Sequence, residues 1–334
     1  MGLSKLSLGV FAAFAVALFG STFMRDPQIN DWLFRISTLI MLATSWNLMA
    51  NAGLISLGHS AFWGVGSYAA VMTANRLGLP LVATLGAAIL FGALVGVVLA
   101  LATGRLRGIF FAIATLALSE GLRISALMLP DLTGGAVGLF LKQELRPDQA
   151  TLYRVGAIGA LLSVALAGWL SVSPFQYASR AMRNNERAAQ MLGIDPRRQR
   201  LTILAISGGM ASCAGAINAW YGGYLDPEVG FTLHFTILSQ IAPLLGGIYT
   251  VAGPVIGSFG IVAFSEATRI WLGSVEGVSQ LAFGVILVVC ILFMPNGLYG
   301  SLRRVVARNR REAVRGGAPA LSSAPLPASA EARR

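Results

Sequence analysis

The sequence predicts an all-α polytopic membrane protein with about ten transmembrane helices, some of them broken or re-entrant. Of its 334 residues, 55% are hydrophobic and only 12% are charged, and the mean hydropathy is +0.70. A soluble domain averages about 25% charged residues, so this composition suits hydrocarbon better than water. Long apolar runs, separated by short polar turns, recur along most of the chain.

The predicted spans follow from the lengths of these runs, because a helix needs roughly 20 apolar residues to cross a bilayer. The runs are Leu3–Phe23, Trp32–Ala50, Ala61–Asn75, Leu81–Thr103, Ile109–Leu129, Leu152–Ser173, Leu201–Gly222, Leu233–Tyr249, Val251–Leu272 and Ser279–Met294. The first run is longer than a typical signal-peptide core of about 7–15 residues and has no A-x-A-like cleavage site after it. We therefore expect it to be an uncleaved helix.

The chain divides into two parts by composition. Residues 1–300 predict one transmembrane domain, whose main polar interruption is the segment 174–200. Residues 301–334 are first basic and then rich in Ala, Pro and Ser, which is typical of a disordered tail. Cys213 and Cys290 both lie in apolar runs, so we interpret them as small buried hydrophobes rather than a disulfide or metal site.

The net charge of +11 indicates topology, because its arginines are concentrated in a few turns. They lie in the segment 174–200, in the tail after Met294, and at Arg105 and Arg107, whereas the turns at Asp226–Glu228 and Glu276 carry only acids. The positive-inside rule places the basic turns in the cytoplasm. Ten spans then alternate without contradiction and leave both termini cytoplasmic. With the charge explained by the membrane, we expect no nucleic-acid partner.

The sequence lacks the motifs of the enzyme classes to which a membrane protein of this kind could belong. It has no G-x-x-x-x-G-K-[ST] phosphate loop, so it cannot hydrolyse ATP by the usual route. His59 and His234 are isolated in the sequence, which predicts no metal site. Ser60 follows His59 directly, but neighbouring residues of a helix do not face each other. These observations favour a pore or carrier over an enzyme, with no cofactor bound by this chain.

The stretch "NAGLISLGHSAFWGVG", residues 51–66, combines four glycines with polar side chains and no charge. Irregular backbone at membrane depth is tolerated only when it is buried in protein or lines a wet cavity, and transporters place broken helices around their substrates. The stretch therefore predicts a kinked, pore-side element, with the candidate path residues Asn51, Ser56, His59 and Ser60. Packing between helices through small residues is the alternative explanation of its glycines.

Two acidic–basic pairs, Glu120–Arg123 and Glu266–Arg269, repeat the pattern S-E-x-x-R-I inside apolar runs. Residues three apart share a helix face, so each pair can neutralise itself. A charge at mid-membrane costs about 2.5–3.5 kcal/mol, so its presence needs a reason. Structural pairing is one reason. The other is a proton relay, and Glu120 therefore joins the candidate path residues.

The polar segment "SRAMRNNERAAQMLGIDPRRQRLTIL" predicts a short helix, a stop and a new helix. Asn184 or Asn185 caps the short helix, and Gly193 ends it. Asp195 caps the next helix, with Pro196 at its first position. Ala188 and Ala189, side by side, would let another protein approach the backbone closely. These residues alone leave open whether the helix docks to a protein or lies on lipid headgroups.

Within this segment, "ERAAQMLGI" resembles the E-A-A-x-x-x-G loop by which permeases of ATP-binding-cassette (ABC) importers grip their ATPase subunits. From about Trp46 to Gly300 the chain resembles the LivM-type permeases of branched-chain amino acid ABC importers. The resemblance is carried, in order, by "NLMANAGLISLGHSAFWGVGSYAA", "LRGIFFAIATLALSEGLR" with "LTGGAVGL", "RAMRNNERAAQMLGID", "YLDPEVGFTLHFTILSQIAPLLGGIYTVAGPVIGS" and "MPNGLYG". One departure is Tyr249, where the family pattern has glycine before the threonine.

The resemblance implies an importer permease of the large-bundle type, in the inner membrane of a bacterium. Its implied partners are two ATPase subunits that bind ATP and Mg²⁺, a sister permease chain or a second copy, and a periplasmic amino-acid-binding protein. Glu186, Ala188, Ala189 and Gly193 match the family's coupling motif, so residues 174–200 are hereafter the coupling segment. The implied substrates are branched-chain amino acids, other amino acids or urea.

One alternative stays open at this point. It is a secondary carrier driven by protons or sodium through Glu120 or Glu266, which would need no coupling helix.

Overall fold

The structure is a computed structural model that describes residues 27–272 together with 281, 284 and 285. The predicted span Leu3–Phe23 and the tail 301–334 lie outside the described residues, as does nearly all of Ser279–Met294. The other eight predicted spans each correspond to a helix.

The described helices are α1 (Pro27–Asn51), α2 (Ser60–Leu77), α3 (Leu81–Ala102), α4 (Ile109–Met128), α5 (Pro130–Thr133), α6 (Gln149–Val172), α7 (Pro174–Asn184), α8 (Glu186–Met191), α9 (Pro196–Gly222), α10 (Pro227–Gly230), α11 (Leu233–Gly246) and α12 (Ala252–Leu272). Two 3₁₀ turns, Gly135–Val137 and Gln143–Leu145, and two strands, β1 (Leu139–Phe140) and β2 (Tyr224–Leu225), complete the order. The strands pair antiparallel, Leu139 opposite Leu225.

Six helical segments of the described part are long and apolar enough to cross a membrane. They are Gln28–Asn51, Leu81–Ala102, Ile109–Met128, Gln149–Val172, Pro196–Gly222 and Pro227–Gly246, the last joining α10 and α11. The chain is therefore an all-α, multi-pass membrane protein. The total of ten spans stays a prediction.

The core forms around α1 and α9, most of whose side chains are buried. Helix α9 packs antiparallel to α3 through glycines. A Cβ atom added to Gly92 would lie 2.0 Å from the Ser212 hydroxyl, and one added to Gly96 would lie 2.2 Å from the Leu204 carbonyl. Such close approach of small residues is how helices associate in a bilayer.

The long helices run alternately between two ends of the bundle. At one end, here called the basic end, Arg107 of the α3–α4 turn pairs with Glu186 at 2.9 Å. At the opposite end β1 and β2 pair, and the Tyr221 hydroxyl donates to Asp31 at 2.6 Å. The two basic segments in the described part of the chain, 174–200 and the α3–α4 turn, thus share one end, as the orientation argument requires.

Candidate translocation path and coupling segment

The chain between α1 and α2 is not helical, and this break falls in the stretch that the sequence singles out. Helix α1 ends at Asn51 and α2 begins at Ser60; residues 51–59 are the broken segment. Gly53 turns the chain with a φ of +79°, a conformation that favours glycine. Side chains satisfy the freed backbone: the Trp46 indole donates to the Ser56 carbonyl at 3.0 Å, and the Leu57 amide donates to the Thr115 hydroxyl at 3.0 Å.

Three buried hydroxyls meet where α2, α4 and α11 converge. The Ser60 hydroxyl lies 2.8 Å from that of Ser119, and the Thr236 hydroxyl is 2.9 Å from the Ser60 hydroxyl. The Ser60 amide also donates to Thr236 at 2.9 Å. Sequence reasoning found only Ser60. The signal for Ser119 was present, since it is the serine of the first S-E-x-x-R-I pattern.

His59 is fully buried, and its Nε2 lies 2.7 Å from the Ser45 hydroxyl. That hydroxyl donates to the Leu42 carbonyl at 2.6 Å, which leaves its oxygen free to accept a hydrogen bond from Nε2. Nδ1 has no hydrogen-bond partner among the described residues. His59 is thus held inside the core through one ring nitrogen.

Asn51 and Ser56 are also held by neighbours. Asn51 donates to the Asn47 carbonyl at 2.8 Å and accepts from the Gln176 amide at 2.7 Å. The Ser56 hydroxyl accepts from the Gly58 amide at 3.3 Å. Together with His59 and Ser60, these residues are at most 5% exposed. In the single chain, all four therefore pack inside the bundle.

Glu120 occupies a different position, on the outer surface of α4. Its side chain is 54% exposed, and Arg123 Nε lies 3.1 and 3.0 Å from its two carboxylate oxygens. Arg123 also pairs with Glu228 of α10. The predicted pair is formed, with Glu120 on the exposed surface of α4 and Arg123 between Glu120 and α10.

Glu266 is instead buried, with a side-chain exposure of 9%. It pairs with Arg269 at 2.7 Å and lies 3.9 Å from Arg35 of α1. These three residues line a cavity of about 510 Å³, together with His234 and Trp63. The same sequence pattern therefore gives an exposed carboxylate, Glu120, in α4 and a buried one, Glu266, in α12.

The coupling segment has the caps that its sequence predicts. The Asn185 side chain accepts from the Ala188 amide at 3.1 Å, and Asp195 accepts from the Arg197 amide at 2.9 Å. Gly193 has a φ of +82°. The Gly193 amide donates to the Gln190 carbonyl at 2.9 Å, and the Ile194 amide donates to the Ala189 carbonyl at 3.1 Å. This pair of bonds is a Schellman ending of α8.

The orientation of α8 corrects part of the predicted docking surface. Ala189 is 1% exposed and points into this chain, whereas Ala188 faces outward. Adjacent residues of a helix point about 100° apart because a turn has 3.6 residues, so the two alanines cannot share one face. Met191 and Leu192, which the predicted site omitted, are 90% and 78% exposed. Their apolar character in a polar segment was the available signal.

Glu186 also points inward and anchors α8 to the bundle. Its carboxylate lies 2.9 Å from Arg107 Nε and 3.2 Å from Nη2 of Arg200, the latter in α9. The Arg200 side chain is only 6% exposed and also donates to the Leu106 carbonyl at 2.9 Å. Of the four predicted coupling residues, Glu186 and Ala189 face the bundle, and Ala188 and Gly193 are exposed.

The family whose sequence model matches this chain is described as "Branched-chain amino acid transport system / permease component". The match covers residues 28–293, which include nearly all of the described elements. The chain belongs to this permease family. It is accordingly a transport subunit of the membrane rather than an enzyme.

Several characterised permeases are similar to this member of the family. LivM of Escherichia coli K12, a high-affinity branched-chain amino acid transport system permease protein, is 28% identical over 79% of this chain and 69% of its own. LivH of Salmonella typhimurium, a permease protein of the same kind of system, is 25% identical over 84% of both chains. LsrC of Yersinia pestis, an autoinducer 2 import system permease protein, is 26% identical over 84% of this chain and 82% of its own.

Proposed function

We propose that the chain is the permease subunit of an ABC importer that carries branched-chain or related amino acids into the cytoplasm. The observation that carries this proposal is the exposed apolar pair Met191 and Leu192, at the end of a helix that Glu186 fixes to the core. Apolar side chains held rigidly on a polar, arginine-rich surface are typical of a protein interface.

The anchoring of α8 supports its role as the coupling helix. Glu186 joins α8 to Arg200, which lies in the first turns of α9. Helix α9 then crosses the whole core. A partner that shifts α8 would therefore shift the basic end of α9 as well, and rigid-body movement of this kind can alternate access to a path. Two ATPase subunits, which bind ATP and Mg²⁺, would supply the movement.

The outer face of α4 supports a second permease chain as neighbour. Ala117, Gly121 and Ser125 lie one turn apart on this face and are exposed beside Glu120. A carboxylate facing lipid is unfavourable, whereas small residues let another helix approach closely. We place a sister chain, or a second copy, against this face, with Glu120 on the path between the chains.

The candidate path residues at the break between α1 and α2 would then lie on the inner side of α4, away from the second chain. Ser60 is joined through Ser119 to the turn of α4 that carries Glu120. Asn51, Ser56 and His59 brace the rest of the break. In this proposal, the change between outward and inward access loosens these contacts and brings the polar groups toward the substrate. A zwitterion needs such dipoles at its two charged ends.

Orientation and substrate complete the proposal. With the basic end in the cytoplasm, both termini are cytoplasmic and the opposite end faces a periplasmic amino-acid-binding protein. Of the three relatives named above, two belong to branched-chain amino acid systems and one to an autoinducer 2 system, so an amino acid is proposed. This chain would bind no cofactor of its own.

The first test is to purify the tagged full-length chain in mild detergent from its native membrane and identify the bound proteins by mass spectrometry. We expect two ATPase subunits and a sister permease. Leu192→Glu should remove the ATPase subunits, because it puts a charge into an apolar contact. Val137→Glu, at the equally exposed Val137 of the opposite end, is the matched control and should retain them.

A chain that purifies alone and moves solute into liposomes under a proton or sodium gradient would contradict the proposal. It would favour the carrier alternative and make Glu120 and Glu266 the residues to mutate next.

A further inference from the structure

Tyr249 lies in a backbone conformation that a tyrosine rarely adopts. Its φ is +67°, and it is the one non-glycine residue with a positive φ in the described part of the chain. Such a conformation is costly for a residue with a Cβ atom and persists only where its surroundings enforce it. Tyr249 lies in the turn that joins α11 to α12. The strained backbone therefore indicates that the tyrosine side chain has a function in this turn.

The turn is held in place from α1 by a single buried side chain. Asn47, which is 5% exposed, accepts from the Tyr249 amide at 3.0 Å and donates to the Thr250 carbonyl at 2.9 Å. The Thr250 hydroxyl in turn donates to the Gly247 carbonyl at 2.7 Å. These bonds fix the backbone so that the ring of Tyr249 projects in one direction.

The ring meets a cation of the coupling segment. Cζ of Arg183 lies 3.9 Å from the centre of the Tyr249 ring, a cation–π contact. No carboxylate among the described residues pairs with Arg183, and its buried Nη1 has no hydrogen-bond partner there. The Tyr249 ring is therefore a cation–π partner for a guanidinium that no carboxylate of the described residues pairs with.

Arg183 is close to both moving parts of the proposed mechanism. It lies in the last turn of α7, two residues before Asn185, which caps α8. Its Cα would be 3.4 Å from a Cβ atom added to Gly53 of the broken segment. One residue thus contacts the broken segment and the α11–α12 turn, and it is joined covalently to the coupling helix.

We propose that Arg183 and Tyr249 form a contact that transmits movement of the coupling segment to the α11–α12 turn, and that both are positioning residues for coupled transport. This inference rests on the proposed importer function. Neither residue touches substrate in this account. They act by keeping α7 and the turn together while α8 moves, so their loss should separate ATP hydrolysis from transport.

The test uses the purified complex of full-length permease and its partners in liposomes. Leucine, isoleucine and valine, radiolabelled, are tried in turn as probes with the binding protein. The measured quantity is the amount of amino acid taken up per ATP hydrolysed, because a merely structural defect lowers both activities together. Arg183→Met and Tyr249→Gly should each lower this ratio about tenfold or more, equal to about 1.4 kcal/mol of coupling.

Three controls accompany these variants. Tyr249→Phe keeps the ring, and Arg180→Met removes an exposed arginine from the same helix, so both should stay within about twofold of the original ratio. The double variant Arg183→Met/Tyr249→Gly should be no worse than either single variant, because both remove one contact. If Tyr249→Gly does not accumulate, Arg183→Met decides the question without altering the turn.

A Tyr249→Gly or Arg183→Met complex with a ratio within twofold of the original would overturn the inference, as would an equal loss in Arg180→Met. The result that overturns this inference differs from the result that overturns the importer proposal. In the first case, the unmodified complex still couples ATP hydrolysis to uptake. In the second, the unmodified chain carries no ATPase subunits, and both proposals fall.

Discussion

At the scale of single residues, the contacts around the broken segment depend on the absence of side chains. A Cβ atom added to Gly58 would lie 1.7 Å from the Thr115 carbonyl oxygen, and one added to Gly66 would lie 2.0 Å from that of Ser212. Both neighbours are backbone atoms of other helices, which cannot rotate away. These two glycines therefore serve close helix packing, whatever the path residues beside them do.

Gly58→Ala should consequently disrupt the chain. We expect the free energy of unfolding to fall by about 3 kcal/mol or more, because the added methyl group forces the chain at Gly58 away from α4. The measurement is thermal unfolding in detergent, together with the yield of folded protein. Gly86→Ala is the matched control, since nothing lies within 4 Å of a Cβ atom there. Equal unfolding temperatures for the two variants would contradict this account.

At the scale of elements, α8 is too short to be stable by its own hydrogen bonds. A helix of 6 residues is far below the length at which isolated helices form, so its environment must hold it. The Asn185 cap and the Schellman ending supply the two ends. Glu186 supplies the connection to α9 and to the α3–α4 turn, and it compensates the buried charge of Arg200.

Glu186→Gln should therefore destabilise the folded chain by about 1–3 kcal/mol, because it leaves the Arg200 guanidinium without its carboxylate. The comparison is Arg198→Gln, which breaks the Arg198–Asp195 pair, whose side chains are 88% and 50% exposed. Exposed pairs contribute about 0–1 kcal/mol, so this variant should unfold near the original temperature. The opposite order of stabilities would refute the anchoring role of Glu186.

At the scale of the whole molecule, the bundle has two chemically different ends. The basic end carries the coupling segment and the α3–α4 turn, joined by the Arg107–Glu186 pair. The opposite end carries the small sheet and exposed apolar residues such as Val137. Because consecutive long helices alternate between these ends, one determination of sidedness orients every described helix.

Cysteine labelling can make that determination. Val137→Cys and Leu192→Cys are placed, one at a time, in a chain whose Cys213 and Cys290 are replaced by serine. A membrane-impermeant maleimide should label the Val137 variant in spheroplasts and the Leu192 variant only after the membrane is opened. The reverse pattern would invert the orientation and would be incompatible with docking of ATPase subunits at α8.

Features that depend on neighbouring residues could be predicted from the sequence. Eight apolar runs became helices because run length and hydrocarbon thickness are local matters. The caps at Asn185, Gly193 and Asp195 followed from the chemistry of single side chains beside their own backbone. The broken segment was visible for the same reason, since its glycines and polar residues weaken a helix wherever they occur.

Which distant segments meet depends on the packing of the whole bundle. The pattern S-E-x-x-R-I placed Glu120 on an open surface and Glu266 in a cavity wall, because α4 and α12 have different neighbours. Likewise, only packing turned Ala189 inward, joined Glu186 to Arg200 and set the Arg183 guanidinium over the Tyr249 ring. Such contacts join residues far apart in the chain or fix which face of a helix is covered, and local sequence carries no signal for either.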